Sequence, residues 1–146
     1  MSYANAANAY RRTQAEAGTP LELVVMLYDG ALRFLAQAQD AMARRDIRAR
    51  HLALDKTLAI IGHLQSTLDM DRGGVVATDL DRLYSYISGR LLEGAAQNDP
   101  KALSEATGLL ANLRDAWHTL AITPAGASIP LTPPPAARGR LVETRP

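Results

Sequence analysis

The side chains best suited to binding a transition metal are three histidines, His51, His63 and His118. No two of them stand four residues apart, the spacing that places a histidine pair on one face of a helix. Asp115 and His118 form half of a helical carboxylate–histidine motif, but a metal site in a helical bundle takes such a motif from two helices, with further carboxylates. The sequence contains no second copy, so we predict neither a metal site nor a cofactor.

The acidic segment DMDRGG at residues 69–74 resembles the beginning of a calcium loop. Such a loop needs an oxygen-bearing side chain at its fifth position and a glutamate at its twelfth. Gly73 and Leu80 occupy these two positions. The segment is therefore interpreted as a helix end with polar caps.

The sequence does not support nucleophilic or acid–base catalysis either. No serine lies in a G-x-S-x-G turn, and Gly73-Gly74 is not followed by the lysine of a phosphate-binding loop. No two carboxylates stand among apolar residues in a way that would indicate an acid–base pair. We therefore predict that the chain is not an enzyme.

Composition limits the class of protein further. The 146 residues suit one domain, 47% of them are hydrophobic, and there is no cysteine for a disulfide or thiolate site. The net charge is +1 with acids and bases interspersed, so no nucleic-acid footprint is expected. No segment resembles a signal peptide or a membrane span, which predicts a cytoplasmic protein without membrane insertion.

Four amphipathic segments organise the chain. The first helix is predicted to begin at Thr19-Pro20, where a capping box ends in Glu22, and to fade near Arg44-Arg45. Asp46 is predicted to cap a second helix that ends before Arg72-Gly73-Gly74. The apolar face of that second helix contains Ile47, His51, Leu54, Leu58, Ile61 and Leu68.

The third helix is predicted to begin at Thr78 or Asp79, and the fourth at Asp99-Pro100. Pro124 should end the fourth. Short connections between amphipathic helices favour antiparallel neighbours, so the expected fold is all-α, an antiparallel four-helix bundle.

The two ends of the chain differ from this middle part. Residues 1–18 are predicted to form a flexible N-terminal arm, residues 19–122 the helical-bundle domain, and residues 123–146 a disordered proline-rich tail that is not needed for binding. The tail holds Pro130-x-x-Pro133, which could dock in an aromatic groove, although a solvated tail is the favoured interpretation.

The helices carry more apolar residues than one narrow seam requires. Such a surplus is consistent with oligomerisation, with burial under additional segments, with a groove for a partner helix, or simply with a wide core stripe. Periodicity does not choose among these. The surplus positions are Leu23, Met26, Leu27, Phe34, Tyr86 and Leu92.

Several motifs together resemble the flagellar secretion chaperone family FliS. They cover residues 9–120 in the family's order and spacing. They are Ala9-Tyr10, TPLELVVMLYDGALRFL at residues 19–35, LQSTLDMDRGG at residues 64–74, Leu80-x-x-Leu83-Tyr84-x-Tyr86, Arg90-Leu91 and LRDAW at residues 113–117.

The resemblance implies a cytoplasmic export chaperone whose bundle binds the disordered C-terminal segment of flagellin. Bound flagellin would not polymerise prematurely and would stay competent for flagellar type III secretion through the export gate. An anti-sigma factor is a further partner to consider.

On this interpretation the client groove would be supplied by the second, third and fourth helices. Core packing is the competing role for each groove candidate, and the better one for Leu80 and Leu110. The candidates are Leu64, Leu68, Leu80, Tyr84, Ile87, Leu91 and Leu110.

Tyr10 on the N-terminal arm is a further binding residue. Its ring, and that of Tyr3, is expected to shield part of the groove when no client is bound, because a tyrosine can bury its ring while its hydroxyl stays wet. Without the arm, the empty bundle should self-associate. The alternative is an arm whose tyrosines are simply solvated.

Two other functions remain as alternatives at this point. The first is a structural or oligomerisation bundle without a client, which shares the composition and the helices. The second is an enzyme, which would need a metal or a paired acid–base site.

Overall fold

A computed structural model describes residues 20–123 of the chain. Four α-helices follow one another, and this part of the chain has no strand. Connections of two or three residues reverse the chain direction each time, as expected for an antiparallel bundle. The predicted all-α bundle is confirmed. Its helices are α1 (Pro20–Ala43), α2 (Ile47–Ser66), α3 (Met70–Gln97) and α4 (Pro100–Ala121).

The helices stand in a square. α1 packs against α2 and α4, and α3 packs against the same two helices, so that α1 and α3 face each other across the diagonal. One end of the bundle therefore holds the start of α1, the α2–α3 connection and the end of α4. The opposite end holds the α1–α2 and α3–α4 connections.

The start of α2 agrees with the start predicted from the sequence. Asp46 is its N-cap, and its carboxylate accepts a hydrogen bond from the Ala49 amide at 3.1 Å. Ile47, which we expected on the buried face, is exposed, as is His51. Both lie in the first turns of α2, at the end of the bundle.

The α2–α3 boundary corrects the sequence prediction. α2 ends at Ser66 and α3 begins at Met70, not at Thr78 or Asp79. The carboxylate of Asp69 accepts from the Arg72 amide at 3.1 Å, and this cap starts a helical turn before the glycines. Gly74, with φ of 53°, then interrupts α3. Gly74 thus divides α3 into a first turn, which the Asp69 cap begins, and a longer part after it. The predicted break at the paired glycines is present, whereas the predicted start at Thr78 or Asp79 is wrong.

The α3–α4 connection has the predicted form. Asn98 adopts the left-handed conformation, Asp99 accepts from the Lys101 amide at 3.0 Å, and Pro100 opens α4. The helices approach closely here: a Cβ added to Gly94 would lie 2.7 Å from the Cβ of Ala102. Glycine is therefore required at this crossing.

The core is mainly aliphatic, with two tyrosines at its centre. Alanines and leucines from all four helices are buried, and small residues let the helices pack closely. Thr57 is also buried, and its hydroxyl donates to the carbonyl of Ala53 at 2.9 Å, which satisfies it within α2. The predicted arm at residues 1–18, the Thr19 cap, Pro124 and the proline-rich tail lie outside the described residues, apart from Thr123.

Candidate binding cleft

A cleft of ≈ 380 Å³ opens at the end of the bundle where α1 begins and α2 passes into α3. Its walls are largely apolar, with one carboxylate and one guanidinium at the α2–α3 connection. The lining residues are Val24, Leu64, Thr67, Leu68, Asp69, Arg72, Gly73, Val76, Ala77, Leu80, Tyr84 and Trp117. A concave apolar surface with few polar groups is the usual form of a binding site.

Tyr84 and Trp117, which both line the cleft, belong to a hydrogen-bonded group that reaches the centre of the bundle. The hydroxyls of Tyr28 and Tyr84 lie 2.5 Å apart, and the indole Nε1 of Trp117 donates to the Tyr28 hydroxyl at 3.3 Å. Burial raises the pKa of both tyrosines above the ordinary value. Both hydroxyls therefore stay protonated and neutral, and the group fixes α1, α3 and α4 relative to one another.

Polar contacts brace the helices that form the cleft. The side-chain amide of Gln65, near the end of α2, donates to the Asp81 carboxylate and to the Ser85 hydroxyl of α3, each at 2.9 Å. Arg114 of α4 pairs with Asp29 of α1 at 2.8 Å. These contacts join α2 to α3 and α1 to α4 beside the cleft, and a site held in place before binding has a lower entropy cost of binding.

Four exposed apolar side chains lie at the same end of the bundle, while others, such as Ile47 and Leu52, lie toward the opposite end. Met26 lies in the early turns of α1, Met70 and Val75 in the first turns of α3, and Ile122 just after α4, with exposed fractions of 47%, 46%, 69% and 66%. Exposed apolar residues around a cleft are typical of a surface that another polypeptide covers. Methionine adapts to irregular partners, which suits such a rim.

The structure divides the predicted groove residues into two sets. Leu64, Leu68, Leu80 and Tyr84 all line the cleft, although only Leu68 is more than marginally exposed. The other three helix residues, Ile87, Leu91 and Leu110, are completely buried in the core. They have no surface for a partner in this conformation, so direct contact would require the helices to separate. Tyr10 lies outside the described residues.

Sequence reasoning missed Val24, Val76 and Trp117 as cleft residues. Trp117 continues the apolar stripe of α4 to the open end of the bundle, and a large aromatic at such a terminal position was the available signal. Val24 lies beside the main stripe of α1, and only the arrangement of the neighbouring helices brings it to the cleft.

The described residues offer neither a metal site nor a membrane-spanning helix. Within residues 20–123, no three histidine, aspartate or glutamate side chains are grouped so that they could hold a metal ion. None of the four helices has an apolar stretch long enough to cross a lipid bilayer. The cleft is therefore the feature from which function is argued.

The family follows from comparison with known proteins. The model of the family described as "Flagellar protein FliS" matches residues 3–124, most of the chain. The chain belongs to the FliS family. The motifs at residues 19–35, 64–74 and 113–117 lie inside this match and include much of the cleft wall.

Similar proteins are named as chaperones. The chain is 39% identical over 104 residues to flagellar secretion chaperone FliSB of Pseudomonas aeruginosa, covering 71% of this chain and 82% of that protein. It is 36% identical over 125 residues to flagellar secretion chaperone FliS of Salmonella typhimurium, covering 82% and 93%. The corresponding protein of Bacillus subtilis is 32% identical over 117 residues, 80% of this chain and 86% of that protein. Membership of this family confirms the prediction that the chain is not an enzyme.

Proposed function

We propose that this protein is a cytoplasmic export chaperone for flagellin. It binds the disordered C-terminal segment of flagellin, prevents premature polymerisation and keeps the subunit competent for flagellar type III secretion. The observation that carries the proposal is the apolar cleft at the open end of the bundle, formed by residues within the family match. The names of the similar proteins support the same role.

The mechanism is folding of the client segment coupled to its binding. An amphipathic segment without a partner is disordered, and laying its apolar face on the bundle buries about 1,000–3,000 Å². Ordering the segment costs free energy, which keeps the complex reversible enough for transfer. Leu68, Val76 and Trp117 offer partly buried apolar contacts for such a face.

Further partners follow from the same role. A component of the export gate receives the client, and an anti-sigma factor is a second candidate ligand of the chaperone. The N-terminal arm covers the cleft with Tyr10 when the client is absent, and the uncovered empty bundle associates with itself. These assignments rest on the resemblance and on the apolar rim formed by Met26, Met70 and Val75.

The competing function is a structural bundle without a client. Isothermal titration of the full-length protein with intact flagellin and with flagellin lacking its C-terminal segment separates the two functions. A chaperone should bind the intact flagellin and lose measurable binding to the truncated one. If neither flagellin gives heat, and no complex elutes on gel filtration, the structural alternative replaces the proposal.

A further inference from the structure

A second pocket lies at the end of the bundle opposite the cleft, between the α1–α2 and α3–α4 connections. It measures ≈ 480 Å³. Its lining combines arginine with small and apolar side chains, which distinguishes it from the mainly aliphatic cleft. The lining residues are Ala41, Met42, Arg45, Asp46, Ile47, Arg50, Ala95, Ala96 and Asn98.

Arg50 in this pocket makes fewer hydrogen bonds than its side chain can donate. A guanidinium carries five N–H donors. Within residues 20–123, Nη1 of Arg50 donates to the side-chain oxygen of Asn98 at 3.3 Å, while Nε is buried and has no acceptor. An incoming carboxylate cannot reach the buried Nε, but the Nη donors that Asn98 does not use are suited to a carboxylate, which can accept two parallel hydrogen bonds from a guanidinium.

The charge of the pocket also favours an anion. The charged residues of the lining are Arg45, Arg50 and Asp46, so the lining carries a formal net charge of 2 − 1 = +1. The Asp46 carboxylate is already engaged, because it accepts from the Ala49 amide at 3.1 Å and pairs with Arg44 at 3.4 Å. Arg45 and Arg50 are therefore available to an incoming carboxylate.

The apolar part of the lining limits which carboxylate groups the pocket can bind. Ala41 and Met42 are buried beside the arginines, and Ile47 is exposed at the rim. A chain terminus places its carboxylate directly next to the last side chain, so one residue can satisfy the charged and the apolar parts together. The pocket therefore fits the C-terminal end of a polypeptide.

We propose that this pocket holds the C-terminal carboxylate of the client chain, with Arg50 as its main ligand and Arg45 as a second. The inference rests on the proposed function, since the client segment considered there ends in a free carboxylate. Val24 in the cleft and Met42 in the pocket stand 18 residues apart on α1, which corresponds to about 27 Å along the helix. A client segment therefore lies lengthwise on the bundle, with its last residue at Arg50.

The test uses two synthetic peptides of the flagellin C-terminal segment, one with a free carboxylate and one with a C-terminal amide. Both are titrated into the full-length protein and into the variants Arg50→Gln and Arg48→Gln. Arg48 is the matched control, since it lies on the same helix, is exposed and does not line the pocket.

The free acid should bind the unmodified protein about tenfold more tightly than the amide, because a charge-assisted hydrogen bond is lost in the amide. This preference should vanish in Arg50→Gln and persist in Arg48→Gln. Circular dichroism checks that the variants are folded, and the comparison of acid with amide on the unmodified protein needs no variant.

Equal affinities for the acid and the amide would overturn the inference while leaving the chaperone proposal intact. An Arg50→Gln variant that weakens both peptides equally would point to an acidic side chain instead and would also overturn it. If neither peptide binds the unmodified protein, but intact flagellin does, the pocket is not a terminus site. If intact flagellin also fails to bind, the proposed function itself is wrong.

Discussion

The hydroxyl groups of Tyr28 and Tyr84 meet 2.5 Å apart, joining two helices that face each other across the diagonal of the bundle. Trp117 donates a third hydrogen to the Tyr28 oxygen. Three hydrogen-bond donors thus share two phenolic oxygens. One of the two hydroxyl hydrogens therefore has no acceptor in the hydrogen bonds that join these three side chains.

Replacing either tyrosine alone should therefore destabilise the bundle. Tyr28→Phe leaves the buried Tyr84 hydroxyl without its partner, and we expect a loss of about 1–3 kcal/mol in the free energy of unfolding. The double variant Tyr28→Phe/Tyr84→Phe should lose less than the sum of the two single variants, since it leaves no buried phenol unpaired. Urea denaturation measures all three. Strict additivity would contradict a coupled pair.

The same pair predicts instability at alkaline pH. Burial raises the pKa of Tyr28 and Tyr84 in the folded state above the ordinary value of 10.0. A raised folded pKa means that the stabilising contribution is complete below pH 10 and is lost as the pH rises further, because the unfolded chain then releases protons that the folded chain retains. Urea midpoints should fall above pH 10.

The double phenylalanine variant should show a smaller alkaline decrease than the unmodified protein. Tyr86 is the control: its pKa is also raised, chiefly by the hydrogen bond that it donates to Glu105, but it lies on the exposed side of α3. Tyr86→Phe should leave most of the alkaline decrease in place. An unchanged decrease in the double variant would remove the buried pair as its cause.

Substitutions in the cleft should separate binding from stability. Leu68 lines the cleft and is partly exposed, so Leu68→Ala should weaken flagellin binding by about 2 kcal/mol if it is an anchor, with a small change in Tm. Leu110 is fully buried, so Leu110→Ala should lower the free energy of unfolding by about 2–5 kcal/mol. Calorimetry and thermal denaturation give the two quantities. A Leu68→Ala variant with lowered Tm and unchanged affinity would count against the cleft.

Two glycines of α3 provide a matched test of helix packing. A Cβ at Gly94 would lie 2.7 Å from Ala102 Cβ and 2.9 Å from Leu103 Cδ1, whereas a Cβ at Gly89 would meet no atom within 4 Å. Gly94→Ala should therefore destabilise the protein by about 1–3 kcal/mol. Gly89→Ala should be neutral or stabilise it by up to about 1 kcal/mol, because alanine favours a helix. Equal effects at the two positions would refute the close α3–α4 crossing.

Deleting residues 2–12 tests the proposed covering of the cleft by Tyr10. The deletion should increase self-association of the empty protein, measured by analytical ultracentrifugation, since the apolar rim around Met26 and Met70 is then uncovered. Hydrogen exchange should become faster in the helices that form the cleft. The variant Tyr10→Ser isolates the contribution of the ring. Unchanged exchange together with unchanged self-association would exclude the covering role.

Much of the fold was accessible from the sequence because its signals are local. The Asp46 and Asp99 carboxylates cap helices by bonding to amides two or three residues away, and the helix periodicity is equally short in range. The α2–α3 boundary was wrong because two local signals compete there. The Asp69 cap and the Gly74 kink lie five residues apart, and the sequence does not state which one begins the helix.

The site was less accessible, because it depends on how distant segments meet. Leu68 and Leu91 look alike in periodicity, yet one borders the cleft and the other is enclosed by neighbouring helices. The contact between Tyr28 and Tyr84 joins residues 56 positions apart, and no pattern along the chain specifies it. An apolar stripe shows which face is buried but not where along the bundle that burial ends.

The position of Trp117 allows the cleft to be observed selectively by tryptophan fluorescence. It is the only tryptophan in the chain, it lines the cleft, and its indole N–H is bonded to a buried hydroxyl. Excitation at the red edge of protein absorbance therefore excites this single indole, which lies in the cleft. The emission maximum of the native protein reports the surroundings of this one side chain, so a polypeptide that binds in the cleft should shift it, and no dye needs to be attached.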